Sequence, residues 1–224
     1  MTYYGIILLV SFAGPFFLSF DKKVAFYKNW KCVFLSTLIV VVPFLIWDAW
    51  FTKLHVWGFN QNYSSAIKLV GLPLEEISFF FVVPYCCLFI HEVIKAYFPE
   101  QSFKGLSTVF LGFLMAFGIV LIFLGRKNYY TLTACIDGVL LLVLLFVKWR
   151  ELLGSIGISY LVCLVPFVIV NGLLTGMATD EPVVWYSENH IVGWRLITIP
   201  VEDLFYNLCL FLPITLLYER LKNR

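Results

Sequence analysis

Lys68-Leu69-Val70-Gly71-Leu72-Pro73-Leu74-Glu75-Glu76 returns later in the chain as Arg195-Leu196-Ile197-Thr198-Ile199-Pro200-Val201-Glu202-Asp203. Each copy opens on a base, passes through apolar residues to a proline, and ends on two adjacent acids at the head of a long apolar run. The likeness spreads outward from this pair. Upstream, Val42-Pro43-Phe44 with Thr52 recurs as Val165-Pro166-Phe167 with Thr175 at one constant offset, which also sets Asp48 against Asn171. Downstream, Phe79, Glu92 and Lys95 match Tyr206, Glu219 and Lys222. An internal repeat of this kind precedes any other fold argument.

What repeats is membrane-spanning. The chain has 224 residues, of which 61% are hydrophobic, 19% aromatic and only 13% charged, against roughly 25% charged in soluble domains. Apolar stretches near the ~20 residues that cross ~30 Å of hydrocarbon run over 3–20, 32–50, 74–93, 106–124, 132–147, 156–174 and 199–217. A lipid-exposed span must satisfy its own backbone hydrogen bonds, and none of these stretches alternates like a barrel strand, so each reads as a helix. The first lacks a basic leader and a small-residue cleavage site and is kept as a span.

The predicted architecture is therefore an all-α integral membrane domain of seven transmembrane helices: a three-helix repeat over 1–98, a linking helix over 105–124 and a second three-helix repeat over 131–224. Three crossings end on the side opposite their start. The linking fourth helix restores the direction, so the repeats are expected to be parallel, related by an axis along the membrane normal, with both acid motifs on one side.

Most Lys and Arg residues, among them Lys22, Lys23, Lys28, Lys31, Lys95, Lys104, Lys148, Arg150, Arg220, Lys222 and Arg224, fall on one side of such a bundle. Lys53, Lys68, Arg126, Lys127 and Arg195 fall on the other. The positive-inside rule places the N-terminus outside the cell membrane and the C-terminus in the cytoplasm. A net charge of +2, with dispersed bases, gives no footing for nucleic acid. The six cysteines lie in apolar runs without CxxC spacing and read as packing residues, and the three histidines are too scattered for a metal site.

The chemistry-bearing residues are the paired acids. Pro73 and Pro200 suit the first turn of a helix, where a missing N–H is harmless, and this puts Glu75, Glu76, Glu202 and Asp203 in first turns. A helix N-terminus favours a carboxylate by only ~0.3–1 kcal/mol. Dry apolar surroundings favour the neutral acid by several times that, so an enclosed pair suits proton transfer. Lys68 and Arg195 are candidate counter-charges. Asp48 and Asn171 are expected on the same cavity, and Trp47, Phe79, Phe80 and Tyr206 are candidate wall residues whose ring faces suit a cation. Asp137 is an intramembrane acid and so a candidate by default. Glu92 and Glu219, at helix ends, are expected to be solvated. Neither a phosphate-binding glycine pattern nor a Ser/His/Asp arrangement is present.

Trp57-Gly58-Phe59-Asn60 with Tyr63, Gly71 through Glu76, and Phe79-Phe80-Phe81 resemble the membrane-embedded lycopene cyclase domain family. So do Gly193-Trp194-Arg195-Leu196, Ile199 through Asp203 with Tyr206, and the closing Leu217-Tyr218-Glu219-Arg220-Leu221. The resemblance covers nearly the whole chain, in the form that fuses two three-helix units found elsewhere as separate subunits. It implies redox-neutral closure of β-rings on the ends of lycopene or other linear carotenoids taken from membrane lipid, giving γ-carotene and then β-carotene. It also implies Glu75 and Glu202 as acid and base, with Glu76 and Asp203 tuning or relaying protons. No cofactor is expected, although a reduced flavin as a non-redox helper is compatible. Pathway enzymes or a second copy are candidate partners. Rival readings are a seven-helix carotenoid-binding or proton-transporting protein and a non-catalytic assembly subunit. A retinal Schiff base of microbial-opsin type would need a lysine in the last helix, and Pro200 to Leu217 has none.

Overall fold

The computed structural model describes residues 1–223, apart from the side chains of residues 100 and 101; Arg224, counted above for orientation, lies outside the described residues. Seven helices form the body: α1 (Tyr3–Leu18), α2 (Trp30–Lys53), α3 (Leu74–Tyr97), α4 (Lys104–Leu124), α5 (Tyr129–Lys148), α6 (Leu153–Leu174) and α7 (Asp203–Lys222). Six of them are long and apolar enough to cross a membrane, and the chain is a membrane protein. The exception is α1, which at 16 residues rises about 24 Å, short of the ~30 Å hydrocarbon core. Its start is fixed by Thr2, whose Oγ1 accepts from Gly5 N at 3.1 Å, a normal N-cap.

The helices pack as related pairs: α1 on α3 and α5 on α7, with α2 against α7 and α3 against α6. Helix α4 lies against α5 and α6. Small residues permit the tightest approaches, as expected between membrane helices. A Cβ at Gly118 of α4 would come within 2.7 Å of the Phe205 ring, and one at Gly138 of α5 within 3.0 Å of it.

Two features differ from the sequence reading. Short β-ribbons connect the helices: β1 (Trp57–Phe59) pairs antiparallel with β4 (Val184–Tyr186), β2 (Lys68–Leu69) with β3 (Leu72–Pro73), and β5 (Arg195–Leu196) with β6 (Ile199–Pro200). Pro73 and Pro200 thus close hairpins instead of opening helices. Pro73, at φ −59° and ψ 152°, is extended and caps α3, while α7 begins only at Asp203. Both hairpins turn through a β-branched residue in left-handed backbone, Val70 at φ 55° and Ile197 at φ 62°, a conformation costing on the order of 1–3 kcal/mol that persists only where its surroundings enforce it.

Second, Glu92 and Glu219 are buried, not solvated. Lys222 Nζ meets Glu92 at 2.6 Å and Lys95 Nζ meets Glu219 at 2.6 Å, so each base reaches the acid of the other half. His91, fully buried, bridges Glu219 Oε1 at 2.9 Å and Ser159 Oγ at 2.8 Å. The cross-pairing depends on which helices become neighbours, which the spacing along the chain did not reveal.

Candidate functional site

Adjacent acids on a helix point about 100° apart, and the two members of each motif go to different places. Glu75 turns outward to the loop, where Oε1 accepts from Thr2 Oγ1 at 2.6 Å and both oxygens accept from Ser65 N at 3.1 Å. Glu202 does the same in the second copy: its Oε1 accepts from Thr131 Oγ1 at 2.6 Å and from Val192 N at 2.7 Å. Each ties its hairpin and loop to a helix start, and neither lines the cavity described next.

Glu76 and Asp203 turn inward. They line a cavity of about 50 Å³ at one end of the bundle, to which every helix except α4 contributes and which the β1–β4 ribbon covers with Trp57, Phe59, Val184 and Tyr186. Asp48, from the last turns of α2, is the third acid on the wall, and Asn171 of α6 also lines it. The wall has no Lys, Arg or His among the described residues.

The three acids are held differently. Asp203 accepts on both oxygens: Tyr130 Oη donates to Oδ1 at 2.5 Å, while Tyr186 Oη and Asn171 Nδ2 donate to Oδ2 at 2.9 and 2.8 Å. Glu76 accepts one bond, from Tyr4 Oη at 2.7 Å. Asp48 accepts from Trp57 Nε1 at 2.6 Å on Oδ1, and its buried Oδ2 has no hydrogen-bond partner among the described residues. The buried hydroxyl of Tyr206 is likewise without one. Tyr186 lies on the covering ribbon, outside the spans. Burial, reinforced by the negative charge of Asp203, pushes its hydroxyl well above the ordinary tyrosine value, so it stays a donor.

Aromatic faces enclose the acids. The Trp57 ring lies 5.1 Å from Tyr130, 6.2 Å from Tyr186 and 5.8 Å from Tyr206, and Tyr130 stacks on Tyr186 at 5.9 Å. Such faces attract positive charge.

Of the predicted residues, the structure brings Asp48, Glu76, Asp203, Phe79, Tyr206 and Asn171 to one cavity. Trp47 and Phe80 stand behind it: Trp47 packs on Tyr206 at 5.0 Å and Phe80 on Phe44 at 6.2 Å. Neither basic residue counters the acids. Lys68 is exposed, and Arg195 pairs with Glu188 at 2.7 Å and donates to Thr198 O. Asp137 is exposed on α5, away from the cavity. Sequence reasoning missed Tyr4, Tyr130 and Tyr186. The first two sit at helix starts, where tyrosine ordinarily marks the membrane interface, and the signal that could have found them is the recurrence of Tyr3-Tyr4 as Tyr129-Tyr130.

A family model described as Lycopene cyclase matches residues 1–94 and 127–221. The interval between the two segments contains α4, the helix that contributes nothing to the cavity. No curated protein and no solved structure matches the chain. A match over most of the sequence, falling on the segments that build the acid cavity, establishes that this chain is a membrane-embedded carotenoid cyclase belonging to the lycopene cyclase family.

Proposed function

We propose that the chain closes β-rings on the linear ends of lycopene, forming γ-carotene and then β-carotene, by redox-neutral acid/base catalysis at Asp48, Glu76 and Asp203. The observation that carries this is the grouping of three acids, without a basic partner among the described residues, inside a shell of aromatic faces. Three enclosed negative charges without a cation would be costly, so the chamber holds at least one proton to give.

In this reading Asp48, with Oδ1 held by Trp57 and Oδ2 uncommitted, delivers a proton to the terminal double bond. The resulting tertiary cation lies against the faces of Trp57, Tyr130, Tyr186 and Tyr206. The π electrons of the nearby alkene form the ring bond, which moves the charge one site along. Asp203, an acceptor on both oxygens, removes a proton from the adjacent carbon and the alkene is restored. One proton enters and one leaves, so the hydrocarbon keeps its formula. Glu76 returns the proton between turnovers. Glu75 and Glu202 hold the loops that bear Ser65 and Val192 and keep their neighbours aimed inward. Three carboxyls and no base on the wall do not suit a flavin phosphate, and no step is routed through a flavin.

The two halves act as parallel repeats. The support is reciprocal: Lys95 on Glu219 and Lys222 on Glu92, Thr2 on Glu75 and Thr131 on Glu202, and a hairpin before each acid pair. The crossed Lys–Glu pairs, each the image of the other across the two halves, are the mark of a two-fold interface. With the N-terminus outside, both motifs lie toward the outer face.

Expression in bacteria that accumulate lycopene, followed by pigment chromatography, tests the reading. Ringed products should replace lycopene, and Asp203→Asn should leave it linear. Unchanged lycopene despite abundant wild-type protein in the membrane would refute it.

A further inference from the structure

A second cavity of about 260 Å³ lies beside the acid chamber, walled by α1, α3 and α6 with Asn207 of α7. Phe79, Phe167, Asn171 and Asn207 line both, so the two spaces adjoin. The second is almost wholly apolar, with Val82, Val83, Ile90 and Val170 on its wall. Of its polar groups, Ser11 Oγ donates to Ile7 O at 2.7 Å and Asn171 Nδ2 to Asp203, while the buried Asn207 Nδ2 has no hydrogen-bond partner among the described residues. Its outer rim includes Pro166 and Ile169, both exposed, so it opens sideways from the bundle, where the hydrocarbon of a membrane lies.

The other half of the molecule is filled at the corresponding place. The constant offset that aligns Val165-Pro166-Phe167 with Val42-Pro43-Phe44 sets Val170 against Trp47, and the later offset sets Asn207 against Phe80 and Phe79 against Tyr206. There Trp47 lies 5.4 Å from Phe44 and 5.0 Å from Tyr206, Phe44 lies 5.4 Å from Tyr206, and Phe80 packs behind at 6.2 Å. A ring cluster stands where the first half has an open passage.

We propose that the cavity between α1, α3 and α6 binds the polyene chain behind the reacting end, that linear polyenes reach the acids from the bilayer by this side alone, and that Val170 keeps it open where Trp47 closes its counterpart. The proposal rests on the cyclase reading for its ligand. At 260 Å³ the space is just below the range of ordinary small-molecule sites, roughly 300–1,000 Å³. It therefore holds one end segment of a long chain, and the remainder stays in lipid past Ile169.

Binding is measured separately from turnover. Asp203→Asn protein is purified in mild detergent from lycopene-accumulating cells, and bound lycopene is read from its absorbance per mole of protein. Adding Val170→Trp should lower retained lycopene at least tenfold, whereas adding Val165→Trp, on the exposed face of the same helix, should leave it unchanged. Cys86→Phe, on the opposite wall, provides a second blocking variant should Val170→Trp fail to yield monodisperse protein. Equal retention with and without the blocking substitution would overturn the proposal, as would absence of lycopene from the Asp203→Asn protein itself. Lycopene bound in this pattern by a wild type that forms no rings would leave the passage standing and refute the cyclase reading instead.

Discussion

Exchanging each acid of the second motif for its amide, one at a time, separates chemistry from scaffolding at adjacent positions. Asp203→Asn keeps the shape and one acceptor oxygen of a group reached by Tyr130, Tyr186 and Asn171, but the amide cannot take a proton. Loss of a positioned base costs about 10²–10⁴ in rate, or roughly 2.7–5.4 kcal/mol of barrier. Glu202→Gln behaves differently. Both of its donors, Thr131 Oγ1 and Val192 N, meet the same oxygen, and glutamine retains that oxygen. The amide nitrogen then takes the place of the buried Oε2, which has no hydrogen-bond partner among the described residues, and an unsatisfied buried donor costs about 1–3 kcal/mol. This falls on stability rather than on the chemical step. Initial rates of ring formation in isolated membranes supplied with lycopene, normalised to immunoblotted protein and accompanied by thermal denaturation midpoints, give both quantities. Asp203→Asn should lose at least about 100-fold in rate with little change in midpoint. Glu202→Gln should lower the midpoint and lose less than about tenfold in rate. Equal rate losses, or a larger one in Glu202→Gln at unchanged stability, would refute the division of labour.

Other outcomes follow from the same geometry. Tyr186→Phe removes one of three donors to Asp203, and a bond to a charged acceptor is worth about 1.5–3 kcal/mol, so the rate should fall roughly 10- to 100-fold. Because burial raises the Tyr186 hydroxyl, its neutral donor form persists as pH rises. The wild-type rate should show no fall that Tyr186→Phe abolishes below about pH 10; such a fall would contradict the assignment. In deuterated water, mass spectrometry should find one deuterium per ring, since the entering proton comes from an exchangeable acid while the departing one belongs to the substrate; rings without deuterium would exclude protonation by the chamber acids. Gly58→Ala places a Cβ 2.3 Å from the Trp185 ring, so the ring or the ribbon that carries it must shift, at about 1–3 kcal/mol. Midpoint and rate should both drop, and a variant equal to wild type in both would show that the ribbon is not held by this contact.

The helices were legible because composition alone compels them: a run of some twenty apolar residues has no other stable form in lipid. The ribbons were not. Two-residue strands have no readable period, and the turn at Val70 is made by a residue that ordinarily avoids left-handed backbone. The acid motifs were found by repetition, but sequence treated Glu75 and Glu76 as interchangeable neighbours. Only the helix start, one residue after Pro73, decides which faces the loop and which the cavity. Asp48 and Asn171 emerged from the repeat because the offset aligned them. Tyr186 carried no such signal, since it comes from a ribbon whose pairing with Trp57 depends on the meeting of distant loops. Glu92 and Glu219 were expected in water because their helices end there, and each instead finds its lysine on a helix from the other half.

Those crossed ion pairs cannot tell one half of the molecule from the other. Lys95 with Glu219 and Lys222 with Glu92 use the same residue types at matching positions, so two first halves, or two second halves, would satisfy them equally well as free subunits. A pair of first halves would bring together two copies each of Asp48 and Trp47 and would have no open flank; a pair of second halves would have two asparagines at the Asp48 position. Only the mixed pair combines Asp48 with Asn171 and one filled side with one open side. Covalent joining through α4 therefore does what the interface does not: it fixes the stoichiometry at one of each and rules out, within a chain, the two mismatched assemblies that the ion pairs alone would accept.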